Sequence, residues 1–286
     1  MTSGEDGSTL RPKGQPWPGP KPAARRPGSP PLFVYVLDLD DDLGEELELR
    51  MRLSARQHAT ARILHADTGE CDLRSWFSAV GDGPGLLVID GLLALDTCVA
   101  GRTICELLGP GDLLQPPTEL DYNMVDRECN WHALAPARLV LLDGAFVERV
   151  RSWPQLLRAL FRRAERRVAD AGALRAISCQ PKLEVRLVLL LWHLAARWGR
   201  VEPTGIKLSL PLTHRLLGQL VAAERPSISH ALSRLSHAGL VTGSAGDWHL
   251  QGTVQEHLEE LIERTARIEP HDESAAGAEP AQQASG

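Results

Sequence analysis

The chain has 286 residues, 43% hydrophobic and 24% charged, with a formal net charge of −6 at pH 7. That length allows two modest domains, each with its own core, and the composition is that of a globular protein. The negative balance excludes a basic coat for nucleic acid, and no apolar run approaches the roughly 20 residues that span a bilayer. The beginning of the chain has no apolar signal-peptide core, so no membrane partner and a cytoplasmic location are expected. The five cysteines (Cys71, Cys98, Cys105, Cys129, Cys179) are odd in number and scattered, with no CxxC pair. They read as free thiols, not as a zinc or thioredoxin-type site.

Residues 1–31 are rich in Pro, Gly, Ser and Arg and read as a disordered tail, whose Arg25-Arg26 pair suits a solvated segment. Leu32 to Leu37 is a short strand-like run. Asp38 to Asp42 superficially resembles a calcium loop, but the glycine is displaced to Gly44 and the twelfth position is Leu49. No metal site is expected there; an acidic helix start accounts for it better. Glu45 to His58 then reads as helical.

From Ala59 to Asp143 short apolar runs alternate with glycine. Gly85 to Leu95 reads as two strands joined at Asp90-Gly91, a strong turn dipeptide. Ala100-Gly101 is a second turn, Thr103 to Leu108 another strand ended by Gly109-Pro110-Gly111-Asp112, and Arg138 to Leu142 a last strand. Such spacing predicts a small β-barrel or jelly roll over 32–145. At Phe146 the period becomes helical. Trp153, Leu156, Leu157, Leu160, Phe161, Ala164, Val168, Ala171 and Leu174 make a stripe on an Arg-rich helix within 146–178. Its length suits a two-helix seam between copies, with Leu157 and Leu160 in that seam. Lys182 to Trp198 is the next helix.

Ile206 to Leu250 is the most informative stretch. A short strand leads into Leu212, Leu216, Leu217 and Leu220 at helical spacing. Val221-Ala222-Ala223 makes a turn, and Arg225-Pro226-Ser227 opens a second helix with Ile228, Ala231, Leu232 and Leu235 as its buried stripe. Gly239 ends it. Leu240-Val241 and Trp248-His249-Leu250 flank the turn Ser244-Ala245-Gly246-Asp247. This is the plan of a winged helix-turn-helix over 179–252, which presents one helix to the major groove of double-stranded DNA. From Arg200 to Leu240 five basic residues face two acidic ones, a local excess suited to phosphate. Gln255 to Ile268 reads as a terminal helix within 253–286, and the last 18 or so residues as a disordered tail. No GxSxG, Walker A, HExxH or GxGxxG motif is present, and Gly81-Asp82-Gly83-Pro84-Gly85 lacks the lysine of a phosphate loop. No catalytic residue is assigned and an enzyme is not expected.

A barrel, a long helix and a C-terminal winged helix, in this order over roughly residues 59–252, resemble the Crp/Fnr family of bacterial transcription regulators. The segment Arg225-Pro226-Ser227-Ile228-Ser229-His230-Ala231-Leu232 is similar to that family's recognition helix, R-x-S/T-V-S/G-R-x-L. The resemblance implies an α+β chain with a cyclic-nucleotide-binding-like jelly roll, a dimerisation helix and a DNA-binding domain. It implies DNA contacts at Arg225, Ser227, Ser229 and His230, and the outer face of the same helix adds Ser233 and Arg234. His230 stands where the family carries arginine, so operator preference does not carry over. Gln115-Pro116-Pro117 replaces the Gly-Glu pair of the cyclic-nucleotide binders, and Arg127-Glu128-Cys129-Asn130 lacks their Arg-Ser/Thr-Ala context. Cyclic nucleotide is therefore not the expected effector. The 70 residues before Cys71 contain no cysteine to hold an iron–sulfur cluster, and His58, His65 and His132 read as surface or core residues, not haem ligands. The implied partners are double-stranded DNA, a second copy of the chain, RNA polymerase and an unidentified small-molecule effector; the cofactor stays unknown. The other open reading is a sensor or scaffold whose winged helix contacts protein.

Overall fold

The structure, a computed structural model, describes residues 32–116, 125–244 and 246–268. The two tails expected at 1–31 and beyond Ile268, Pro117 of the altered effector segment and Ala245 of the wing turn lie outside the described residues. The N-terminal part begins with β1 (Phe33–Tyr35), α1 (Val36–Leu39), a single 3-10 turn (Asp41–Gly44) and α2 (Leu49–His58). Then follow β2 (Thr60–Ala66), β3 (Gly69–Glu70), α3 (Arg74–Val80), β4 (Gly85–Val99), β5 (Arg102–Leu108), β6 (Leu113–Leu114) and β7 (Glu128–Leu142). All pairings are antiparallel, in the order β1-β2-β7-β4-β5, with β3 on β7 and β6 on β4. The acidic stretch at 38–42, expected as a helix start, spans two elements: Asp38 and Leu39 end α1, and Asp41-Asp42 open the 3-10 turn, which Asp40 caps by accepting a hydrogen bond from Leu43 N at 3.3 Å.

Three expectations are corrected in this part. Gly85 to Leu95 is not a hairpin; it lies within one 15-residue strand, and Asp90-Gly91 is an irregularity in its pairing with β7. Gly91 has φ +97°, and a Cβ there would lie 2.3 Å from Ala137 Cα. Asp90 is held across the strands by Arg138, whose backbone N–H donates to Oδ1 at 3.1 Å and whose Nε donates to Oδ2 at 2.5 Å. The last strand is likewise 15 residues long, not five, and runs through Pro136. Pro136 sits opposite the irregular stretch of β4, where the ladder asks for no N–H, which is how a proline is tolerated inside a sheet. Finally, Arg74–Val80 is a helix in a region read as strands. Leu73, Phe77 and Val80 from this segment pack with Leu86, Val88 and Leu139, so α3 fills the interior of the barrel. Phe77 meets Trp131 at a ring-centroid distance of 6.0 Å.

The helical part comprises α4 (Gly144–Val150), α5 (Pro154–Ser178) and α6 (Leu183–Trp198). Asp143 caps α4 through Phe146 N at 2.7 Å, and Pro154 takes the first turn of α5, where a missing N–H costs nothing. Leu156 and Leu160 enter a second core with Val36, Leu43, Val140 and Phe146. Leu160 is therefore not a seam residue, and Leu157 packs against the same core; the exposed large apolar side chains on α5 are Phe161 and Val168. None of the helices among the described residues is long and apolar enough to cross a membrane.

The remainder is β8 (Arg200–Glu202), β9 (Gly205–Leu208), α7 (His214–Val221), α8 (Arg225–His237), β10 (Val241–Ser244), β11 (Asp247–Leu250) and α9 (Val254–Ile268). Its antiparallel sheet runs β10-β11-β9-β8. A third core joins it to the barrel: Leu92, Cys105 and Leu107 of the β4–β5 hairpin pack with Leu187, Leu190 and Leu220. The 200–202 strand escaped the sequence reading because three residues carry no periodicity.

Candidate nucleic-acid interface

The helix-turn-helix is built by local rules. Thr213 caps α7, its hydroxyl accepting from Leu216 N at 3.2 Å. The turn is tight because Ala222 adopts φ 54°, ψ 49°. Gly218 has no side chain at the point of closest approach; a Cβ would lie 2.5 Å from the Ala223 carbonyl oxygen. Pro226 occupies the first turn of α8. Gly239, at φ +72°, ends it in a complete Schellman motif: Leu240 N donates to Leu235 O at 3.1 Å and Gly239 N to Ser236 O at 2.9 Å. Ile228, Ala231, Leu232 and Leu235 face the core, as the spacing predicts.

The opposite side of α8 exposes Arg225, Ser227, His230, Ser233 and Arg234, five of the six residues expected to meet DNA. They are not equally available. Arg225 is exposed and, among the described residues, makes no ion pair. Arg234 is paired with Glu184 of α6. Ser229 is half-buried; its hydroxyl lies 2.8 Å from His214 Nδ1 and 3.3 Å from the Arg225 carbonyl oxygen. Lys207 is paired with Asp247 of the wing at 3.2 Å. The hydrogen bonds from Ser209 and Lys207 hold the Asp247 carboxyl below its ordinary range, so it stays charged. Part of the basic excess read from sequence is thus engaged inside the domain.

His214 was not among the residues expected to meet DNA. As the first residue of α7, His214 faces α8 and lines, with Ser229, Ser233, Ser236 and Trp248, an open groove of about 250 Å³ between α8 and the wing. The signal available was its place directly after the Thr213 cap. The Glu184 contact had no signal, since 50 residues separate it from Arg234.

In the barrel, Gln115 is exposed just after β6 and Arg127 is exposed just before β7. His58 meets Trp153 with ring centroids 5.0 Å apart and the planes tilted by 42°, His65 is exposed and His132 lies 3.3 Å from Asp96. These histidines do not converge, and no group of three potential metal-ligating side chains occurs among the described residues. All five cysteines are free.

Residues 185–267 match the model of the Crp-like helix-turn-helix domain. A comparison with curated proteins finds no match. Among solved structures, the chain is similar to a cyclic nucleotide-binding domain containing protein from Listeria monocytogenes at 15% identity, covering 74% of this chain and 96% of that one, with a TM-score of 0.56. A CooA mutant from Carboxydothermus hydrogenoformans superposes at 15% identity, 78% and 94% coverage and a TM-score of 0.53. The c-di-GMP responsive global regulator CLP of Xanthomonas campestris does so at 18% identity, 70% and 100% coverage and a TM-score of 0.51. At such identities the likeness is one of fold. The C-terminal domain is a Crp-like helix-turn-helix domain, and the described chain has the fold of the Crp/Fnr regulators.

Proposed function

We propose that this protein is a sequence-specific DNA-binding transcription regulator that acts as a homodimer, each copy placing α8 in one major groove. The observation that carries the reading is the outward face of α8. Its apolar stripe is fully occupied by the core, while Arg225, Ser227, His230 and Ser233 project into solvent, Ser233 with its hydroxyl 3.5 Å from His237 Nδ1 one turn further along the same helix. Arginine forks onto guanine O6 and N7, and hydroxyls reach base edges or phosphates. Arg234, tied to Glu184, is better suited to orienting α8 than to reading bases, and Ser229 serves to fix His214. Homodimerisation is supported by α5, where Phe161 is 63% exposed and Val168, seven residues on, is 73% exposed. A seven-residue spacing keeps two apolar side chains on one seam. Two copies would match an operator of two half-sites, and occupancy of a promoter would block or recruit RNA polymerase.

Selection of binding sites from a random DNA pool, with wild type and Arg225→Ala side by side, tests this. Enrichment of a palindromic motif that the variant loses is the expected result. No enrichment with or without cell extract would overturn the DNA-reading assignment and favour a protein-contacting winged helix.

A further inference from the structure

The turn Gly109-Pro110-Gly111-Asp112 lies where the barrel, α5 and α6 meet. It is tied back to β4 by Val88 N donating to Asp112 O at 2.9 Å and Gly111 N donating to Val88 O at 2.8 Å. Arginines from both helices close on it. Arg163 of α5 donates to Gly111 O at 2.9 Å and to Asp40 at 2.6 Å, and Arg166 donates to Gly111 O at 3.3 Å. Arg197, near the end of α6, pairs with Asp112 at 2.5 Å. Trp198 stands beside Gly109, where a Cβ would meet its indole at 3.1 Å. Asp112 itself is 1% exposed.

Closing this turn does not need a charge. Gly109 N donates to Asp112 Oδ2 at 2.8 Å, a bond that a neutral amide oxygen would accept equally well. A carboxylate taken out of water is unfavourable unless a well-placed cation answers it, and the cation paired with Asp112 belongs to the first helix of the DNA-binding domain. We propose that Asp112 is a positioning residue: through Arg197 it fixes the winged helix on the barrel in the orientation that reads DNA. This rests on the reading of α8 as the DNA-reading helix.

Asp112→Asn keeps the acceptor for Gly109 N and removes the ion pair; Arg197→Gln removes it from the other side, together with the longer contact of Arg197 to Asp170 of α5 at 3.9 Å. Both variants and their double are compared with wild type by hydrogen exchange and by affinity for the selected DNA site. Each single variant is expected to raise exchange across β5 and α7, where the domains meet, while β2–β7 pairing stays protected. Each is expected to lower DNA affinity on the order of ten-fold, with the double no worse than either single, as for two residues acting as one unit. Unchanged exchange and affinity, tighter DNA binding, additive losses in the double, or loss of β2–β7 protection would each overturn the assignment. If wild type selects no DNA site the proposed function fails, and the exchange data still decide whether the pair docks the domains.

Discussion

The barrel and the winged helix treat their side chains in opposite ways. In the barrel, α3 turns Phe77 inward onto Leu86, Val88 and Leu139, and charged groups are matched with one another: Asp90 with Arg138, Glu106 with Arg167, Asp112 with Arg197. In the winged helix the interior is equally filled, but α8 leaves a row of polar side chains facing solvent. On the proposed reading, recognition resides on that row. A side chain already satisfied by its neighbours has little to offer a ligand, whereas an exposed donor on a rigid helix can exchange water for a base edge at small cost.

Emptying the barrel should have the largest consequence. Phe77→Ala removes an aromatic side chain that the interior is packed around, and a loss of about 3–5 kcal/mol in urea denaturation is expected. A variant that loses under about 1 kcal/mol would mean that the interior collapses easily and is not a tight core. The second test concerns α5. Phe161→Asp combined with Val168→Asp should convert a dimer to a monomer by sedimentation and weaken binding to a two-half-site DNA by about 100-fold, or 2.7 kcal/mol. Leu160→Asp, by contrast, should unfold the chain, because Leu160 is 1% exposed. A dimer that survives the double substitution would place the seam elsewhere.

The two arginines of α8 sharpen the contrast within the DNA-binding domain itself. Arg225→Ala should cost about 1–3 kcal/mol on the selected site and far less on unrelated DNA, if it forks onto a base. Arg234→Ala should change both by under about 1 kcal/mol, since an exposed ion pair with Glu184 is worth little. Equal losses for the two arginines would mean that the Glu184 pair opens when DNA binds.

Much of the winged helix was legible because its signals are local. Pro226 in a first turn, Gly239 past a helix end and leucines at helical spacing each act within a few residues. What escaped depends on distant neighbours. Asp90-Gly91 fits a hairpin turn or a strand irregularity equally well, and Ala137, 46 residues on, decides for the second. The stripe on α5 announces an apolar helix face but not which part of it the N-terminal segment covers; Val36 and Leu43 cover Leu160 and leave Phe161 bare. The short helix at Arg74–Val80 has only two turns and hides among strands. In the site, the exposed residues of α8 could be read from their period, whereas the engagement of Arg234 by Glu184 and of Ser229 by His214 required the fold.

The smallest expected effect lies at α9, which the sequence shows as a helix but gives no reason to dock. His257 is 1% exposed and meets Trp192 of α6 edge-on, with ring centroids 5.5 Å apart. Trp192 Nε1 donates to His257 Nδ1 at 3.1 Å, so the ring proton is on Nε2, which donates to the Gln251 carbonyl oxygen. Burial lowers the His257 pKa below its ordinary value of 6.5; the Gln251 carbonyl and the neighbouring Glu256 oppose this and do not overcome it. The folded chain therefore holds this ring neutral while the unfolded chain protonates it near pH 6.5. Between the lowered pKa and 6.5 the unfolded state binds more protons, so the contribution is complete above that window and fades as pH falls through it. A second ring proton would also face the Trp192 N–H, donor against donor. Hydrogen exchange in α9 should accordingly accelerate as pH is lowered from about 7 to 5 after correction for intrinsic rates, and His257→Phe should abolish that acceleration. Equal acceleration in β2 and β7 would show a general acid effect instead of release of one helix.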